Sequence, residues 1–215
     1  MPEVCENKRD WLNLPNFLTG LRFVLIPVIL RLILSDSWTM QSGGTVLFIL
    51  AAVTDHLDGR IARRRRQVTS FGNFADPLAD KLLTLTVFTA IALRREFSHV
   101  FVYMALSVGI IAVREIGITV LRVWAIHRRA PVETSLWGKA KTTAQLITII
   151  TTLIFLNFRQ IAHFMPEIRP FYPGDQVLVF TVKGLVFICV ILAVVSGAIY
   201  LLKSRPNLQD TGGIL

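Results

Sequence analysis

The amino-acid sequence predicts an all-α integral membrane protein, a bundle of six transmembrane helices. Three observations carry that expectation. The 215 residues are 53% hydrophobic with a mean hydropathy of +0.57, and the apolar runs are too long and too many for the core of one soluble domain. A membrane helix needs roughly 20 mostly apolar residues. Such stretches recur over about 15–34, 43–62, 74–93, 98–127, 140–158 and 176–202. The third observation is where the basic residues fall. With the N-terminus in the cytoplasm, Lys8, Arg9, Arg60, Arg63 to Arg66, Arg128, Arg129, Lys139, Lys141, Lys203 and Arg205 lie on that side, and Arg94, Arg95, Arg159 and Arg169 on the other. The positive-inside rule then places both termini in the cytoplasm. A net charge of +9 and a pI near 10.3 are accordingly read as topology, with no nucleic-acid partner expected.

The first stretch opens Leu14-Pro15-Asn16-Phe17-Leu18-Thr19, where Asn16 or Thr19 can cap a helix that has Pro15 at its start. It is as long as a membrane helix and has no small-residue cleavage site, so it is kept as a mature helix. A short loop, Ser35 to Gly44, leads to the second stretch. A short turn joins the second and third, which makes them antiparallel neighbours. Between the fifth and sixth, Pro166, Pro170, Pro173 and Gly174 point to a long non-cytoplasmic connection from Asn157 to Gln176. A loose polar tail, 206–215, follows the sixth. With no internal repeat and no soluble domain beyond the termini, a single membrane domain over 1–215 is expected, with a short cytoplasmic N-terminal segment, 1–14. Cys5 and Cys189 lie in different environments and suggest neither a disulfide framework nor a CxxC metal site.

Six basic residues sit inside or at the ends of these apolar stretches: Arg22, Arg31, Lys81, Arg114, Arg122 and Lys183. Arg31 and Lys183 are near the outer ends, where a long side chain can snorkel to water. A charge at mid-membrane costs on the order of 2.5 to 3.5 kcal/mol even on the lenient insertion scale, so the other four should face a partner or a wet cavity.

The second stretch ends Asp55-His56-Leu57-Asp58-Gly59-Arg60-Ile61-Ala62-Arg63, and the third begins Gly72-Asn73-Phe74-Ala75-Asp76-Pro77-Leu78-Ala79-Asp80. Asp55, Asp58, Gly59 and Ala62 stand at i, i+3, i+4 and i+7, one helix face, and Gly72, Asp76 and Asp80 repeat every four residues on another. If the two faces meet, four carboxylates converge. In low dielectric they would neutralise unless compensated, and a divalent cation compensates them directly. All-oxygen ligands favour Mg²⁺ or Mn²⁺, and four acids can hold a pair of ions. With no His or Cys cluster, zinc is not expected, and His56 is a bystander. Gly59, Ala62, Gly72 and Ala79 fit ordinary small-residue packing, and they also leave room for a phosphate-linked ligand.

The pattern D-x2-D-G-x2-A-R-x8-G-x3-D-x3-D, complete from Asp55 to Asp80, resembles the signature of CDP-alcohol phosphotransferases. That resemblance implies the six-helix fold of the family. It implies that Asp55, Asp58, Asp76 and Asp80 hold two metal ions, that Asp80 doubles as general base, and that Gly59, Ala62, Arg63 and Gly72 line the CDP site. The opening Pro15-Asn16-x2-Thr19-x2-Arg22 is similar to that of bacterial phosphatidylglycerophosphate synthases and their cardiolipin synthase relatives, which adds Asn16 and Thr19 to the CDP-diacylglycerol set. Arg114-Glu115-Ile116, Leu121-Arg122 and Gly138-Lys139-Ala140-Lys141-Thr142-Thr143-Ala144-Gln145 resemble segments of the glycerophosphate branch.

Arg114 and Arg122, eight residues apart, share a helix face. An Arg114–Glu115 charge pair is not favoured, because adjacent helical residues do not face each other. At 1.5 Å per residue, Asp80, Arg22 and Arg122 each lie roughly 10 Å from the cytoplasmic ends of their helices, so acids and bases can occupy one layer. Arg114, Arg122, Lys139 and Lys141 are thus candidates to hold the phosphate of sn-glycerol 3-phosphate. The reaction implied is phosphatidyl transfer from CDP-diacylglycerol with release of CMP, in a homodimer in a bacterial inner membrane. The alternatives are a cardiolipin synthase using phosphatidylglycerol as acceptor and, from a different class, a cation transporter. The transporter reading lacks a paired set of acids in the second half and an inverted repeat.

Overall fold

Six α-helices run through the described residues: α1 (Leu14–Ile33), α2 (Trp38–Arg65), α3 (Ser70–Ala92), α4 (Phe101–His127), α5 (Leu136–Phe164) and α6 (Asp175–Gln209). Short 3-10 helices precede α4 (Arg95–Val100) and α6 (Arg169–Phe171). This computed structural model describes residues 14–65, 70–127 and 136–209, with side chains over 20–54, 79, 81–121, 138 and 140–202. Among them, Arg95–Leu121, Ala140–Phe164 and Asp175–Leu202 are long and apolar enough to cross a membrane, and Trp38–Thr54 and Lys81–Ala92 are shorter apolar helices. The chain divides into two compact units, Met1–Ala90 and Ile91–Leu215.

In the first unit α1 packs on α2. The loop between them is only four residues long, not the Ser35 to Gly44 expected. Helix α2 starts at Trp38, where the Gln41 amide already donates to the Ser37 carbonyl at 2.9 Å. Gly43 and Gly44 read as loop residues in the sequence, but Gly44 serves packing. A Cβ there would lie 2.8 Å from Leu32 Cβ and 3.2 Å from the Ile33 backbone nitrogen. A backbone neighbour cannot swing aside, so Gly44→Ala should destabilise the α1–α2 pair. Overpacking costs about 1–3 kcal/mol, against at most about 1 kcal/mol returned by alanine's better helix propensity. Thermal unfolding in detergent should show a lower Tm; an unchanged or higher one would rule out this close approach.

In the second unit α6 packs on both α4 and α5. The contacts fix direction: Tyr103 meets Lys183 and Arg114 meets Ser196, so α4 and α6 run parallel, while Glu115 meets Lys141 and Glu96 meets Arg159, so α5 runs against α4. The seams recur every three or four residues. Met104, Ser107, Ile111, Glu115 and Ile118 are buried on α4, Ile149, Leu153 and Leu156 on α5, and Val182, Val186, Cys189 and Ala193 on α6, as helix packing requires. Outward-facing positions are also apolar, including Val102, Leu106 and Val113 on α4 and Phe180, Phe187 and Val194 on α6. Apolar residues all round a helix mark a lipid-facing surface.

Two boundaries differ from the sequence expectation. Helix α5 continues to Phe164, because polar residues of its last turns are taken up by neighbours: Asn157 donates back to the Leu153 carbonyl at 2.7 Å and Arg159 pairs across to Glu96 and Asp175. Pro166 then stops it. Before α6, Gly174 has φ +97°, open at low cost only to glycine, and its carbonyl accepts from the Leu178 amide. At the other end α6 is helical to Gln209, through Pro206, where a loose tail was expected.

Candidate functional site

The signature acids stand on two helices. Asp55, Asp58, Gly59, Ala62 and Arg63 lie within the unbroken α2, and Gly72, Asp76 and Asp80 within α3. The registers inferred from spacing therefore hold along the backbone, with Asp55 and Asp58 one turn apart and Asp76 and Asp80 likewise. Their side chains, like those of Asn16 and Thr19 in α1, Arg122 in α4 and Lys139 in α5, lie outside the described residues. Arg22 is buried in α1. Arg31 and Lys183 are exposed. Lys183 Nζ lies 5.5 Å above the Tyr103 ring, whose hydroxyl donates to the Lys183 carbonyl at 2.8 Å.

The second unit carries the charged cluster whose geometry is on view. Glu115 of α4 is 3% exposed and Lys141 of α5 is 1% exposed. The Lys141 ammonium is ion-paired with Glu115 Oε1, and the Gln145 amide nitrogen, one helical turn further along α5, donates to the same oxygen at 3.3 Å. The other carboxylate oxygen, Oε2, lies 3.6 Å from Arg114 Nη1. This corrects the expectation that neighbours in sequence would not meet. That rule describes exposed pairs, whereas in a low-dielectric seam two long side chains bend toward each other because the attraction is barely screened. Arg114 Nη2 donates to Ser196 Oγ of α6 at 2.9 Å, and the serine hydroxyl in turn donates to the Ala193 carbonyl at 3.1 Å. Among the described residues, two cations and one anion thus share a site at the junction of three helices.

Two of the four candidate phosphate ligands, Arg114 and Lys141, are brought together, and Glu115 is the group that joins them. Glu115 and Gln145 lay inside quoted motifs without being singled out, and Ser196 was missed altogether. A signal for the first two existed. Lys141, Gln145, Thr148 and Thr152 fall at i, i+4, i+7 and i+11, a polar stripe on an apolar helix, and all four are buried. On an amphipathic membrane helix such a stripe faces protein. Thr148 continues it, with Oγ1 3.1 Å from Cys189 Sγ of α6.

A second ionic cluster ties the far end of the same unit. Arg159 donates to Asp175 through Nε at 2.8 Å and Nη2 at 3.2 Å, and to Glu96 through Nη1 at 3.1 Å. Glu96 is also held by Arg94 at 2.8 Å. Tyr172 donates to Asp175 at 2.8 Å; burial first, then that hydrogen bond, pushes its phenol well above the usual range and keeps it a neutral donor. Lys141 and Arg159 are 18 residues apart on α5, about 27 Å of helix, close to the roughly 30 Å of a hydrocarbon core. The far cluster therefore braces the opposite end of the unit and lies too far away to touch a ligand at Arg114.

The model of the CDP-alcohol phosphatidyltransferase family matches residues 12–199. The chain belongs to this family. Family members are membrane-embedded, in keeping with the three long apolar helices. Among individual CDP-alcohol phosphatidyltransferases, the chain is 41% identical over 145 residues to the CDP-diacylglycerol–glycerol-3-phosphate 3-phosphatidyltransferase of Sodalis glossinidius, a match covering 66% of this chain and 77% of that one. Identity to the enzyme of the same name from Haemophilus influenzae is 39% over 139 residues, covering 64% and 73%. With the Escherichia coli K12 enzyme of that name it is 36% over 201 residues, covering 92% and 98%.

Proposed function

We propose that this chain is a phosphatidylglycerophosphate synthase, transferring the phosphatidyl group of CDP-diacylglycerol to the 1-hydroxyl of sn-glycerol 3-phosphate and releasing CMP. The observation that carries this reading is the likeness to the Escherichia coli enzyme over 92% of this chain and 98% of that one, with the signature from Asp55 to Asp80 intact. The acids supply only oxygen donors, at one-turn spacing on two unbroken helices, a set that fits Mg²⁺ or Mn²⁺. Two such ions, held by Asp55, Asp58, Asp76 and Asp80, would withdraw charge from the pyrophosphate.

The chain's own residues do the rest. Gly59, Ala62, Arg63 and Gly72, with Asn16 and Thr19, receive the CDP end of the donor, whose acyl chains stay in the bilayer. Arg114, Arg122, Lys139 and Lys141 bind the phosphate of the acceptor. Asp80 takes the proton of the 1-hydroxyl while that oxygen attacks the lipid-bearing β-phosphorus; the bond from this phosphorus to the oxygen of CMP breaks, and CMP leaves. One membrane domain of six spanning helices, with both termini and the site on the cytoplasmic face of a bacterial inner membrane, completes the proposal, as does a homodimer. The basic residues Lys8, Arg9 and Arg60 support that orientation.

The test is an assay of purified protein with CDP-diacylglycerol, Mg²⁺ and a panel of acceptors, following CMP and the lipid product. Phosphatidylglycerophosphate should form with glycerol 3-phosphate. CMP release with phosphatidylglycerol alone would make the chain a cardiolipin synthase instead. Within the working enzyme, Arg122→Ala should raise the KM for glycerol 3-phosphate by about 10- to 100-fold, the worth of a hydrogen bond to a charged group. An unchanged KM removes Arg122 from the acceptor site.

A further inference from the structure

The arginine proposed to bind the acceptor phosphate does not hold its own orientation. Arg114 reaches away from its helix toward α6, where two consecutive residues receive it. Ser196 Oγ takes the hydrogen bond of Nη2 at 2.9 Å. Beside it, Gly197 leaves room for the stem, for a Cβ on Gly197 would stand 3.4 Å from Arg114 Cγ and 3.9 Å from Nε. An alanine methyl would just touch the stem, and a longer side chain would occupy its place. Ser196 is itself fixed, because its proton goes to the Ala193 carbonyl at 3.1 Å, which leaves the oxygen lone pairs turned to the guanidinium. From the other side Glu115 approaches Nη1 at 3.6 Å. Nη2 is thereby held by a hydrogen bond to α6, while the carboxylate approaches Nη1 only at ion-pair distance.

We infer that Ser196 and Gly197 are positioning residues for the phosphate of the acceptor: they form a seat on α6 that sets the angle at which Arg114 presents its charge. The inference rests on the reading of the chain as a transferase to glycerol 3-phosphate. Guanidinium recognition of a phosphate depends on the direction of its N–H bonds as well as on charge. A displaced Arg114 keeps its charge and loses that alignment. Neither Ser196 nor Gly197 touches the acceptor; both act through Arg114.

Steady-state kinetics on the purified enzyme test this, with each substrate varied in turn. Ser196→Ala should raise the KM for glycerol 3-phosphate by about tenfold, equivalent to about 1.4 kcal/mol. The KM for CDP-diacylglycerol and kcat at saturating acceptor should stay at their starting values. Ser196→Thr, which keeps a hydroxyl, should restore most of the affinity. Gly197→Ala should be near silent and Gly197→Leu should match or exceed Ser196→Ala. The deciding measurement is a double-mutant cycle. In an Arg114→Ala background, Ser196→Ala should raise the acceptor KM no further. An additive effect there, an unchanged acceptor KM in Ser196→Ala, or a loss spread equally over both substrates would overturn the seat, the last marking a purely structural serine. A wild-type enzyme that ignores glycerol 3-phosphate would instead overturn the transferase reading on which the seat depends.

Discussion

Asp80→Asn is expected to lower turnover by about two to four orders of magnitude, the range that general-base catalysis contributes, with membrane insertion and Tm preserved. The substitution is nearly isosteric. What it removes is the ability to accept a proton and one negative charge from the set of four acids. The acceptor hydroxyl must lose its proton as it attacks, and a neutral amide cannot take it. Because Asp80 is proposed both to bind metal and to act as base, the two roles must be separated. If loss of metal affinity were the whole effect, raising Mg²⁺ by two orders of magnitude should restore turnover. If the base role dominates, saturating Mg²⁺ leaves kcat low while Asp55→Asn, with no base role, recovers in part. CMP release measured across a Mg²⁺ titration distinguishes them, and near-normal turnover of Asp80→Asn at every concentration would remove the base assignment.

The helices themselves were legible because burying a backbone in lipid leaves few options, and runs such as Leu178–Val195 have little else to become. The signature acids stand out in the sequence for a related reason: Asp55, Asp58, Asp76 and Asp80 are costly in an apolar chain, so their spacing shows against it. What stayed hidden depended on the partner helix. Gly44 looks like a loop residue until α1 is seen against it. The pairing of Arg114 with Glu115 contradicts a rule drawn from exposed helices, and it becomes visible only once Glu115 is known to be buried with Arg114 part-buried beside it. Ser196 carries no signal in sequence, since a serine in a long apolar helix is ordinary small-residue packing; its meaning comes entirely from the arginine 82 positions earlier.

The second large effect is one of stability. Glu115→Ala should destabilise the protein by about 3–5 kcal/mol, the usual consequence of removing one partner from a buried ion pair. The reason lies in what is left behind. Lys141, 1% exposed, would lose the carboxylate that compensates its burial, and Arg114 faces the same carboxylate and would lose it too. Gln145, which now donates to the same oxygen, is a neutral amide and cannot replace the lost charge. Glu115→Gln should cost less, since it retains an acceptor without the charge. The informative variant is the double substitution Glu115→Leu with Lys141→Met, which replaces the pair by apolar groups of similar size, an exchange that is often neutral or stabilising. Its Tm in detergent should recover most but not all of the loss, because Arg114 also faced the carboxylate that is removed. The KM for glycerol 3-phosphate should not recover if Lys141 also serves the acceptor. Recovery of both would make the pair a structural strut alone, and a Tm for Glu115→Ala equal to that of the unmodified protein would show that Lys141 reaches water or another anion when its partner is removed.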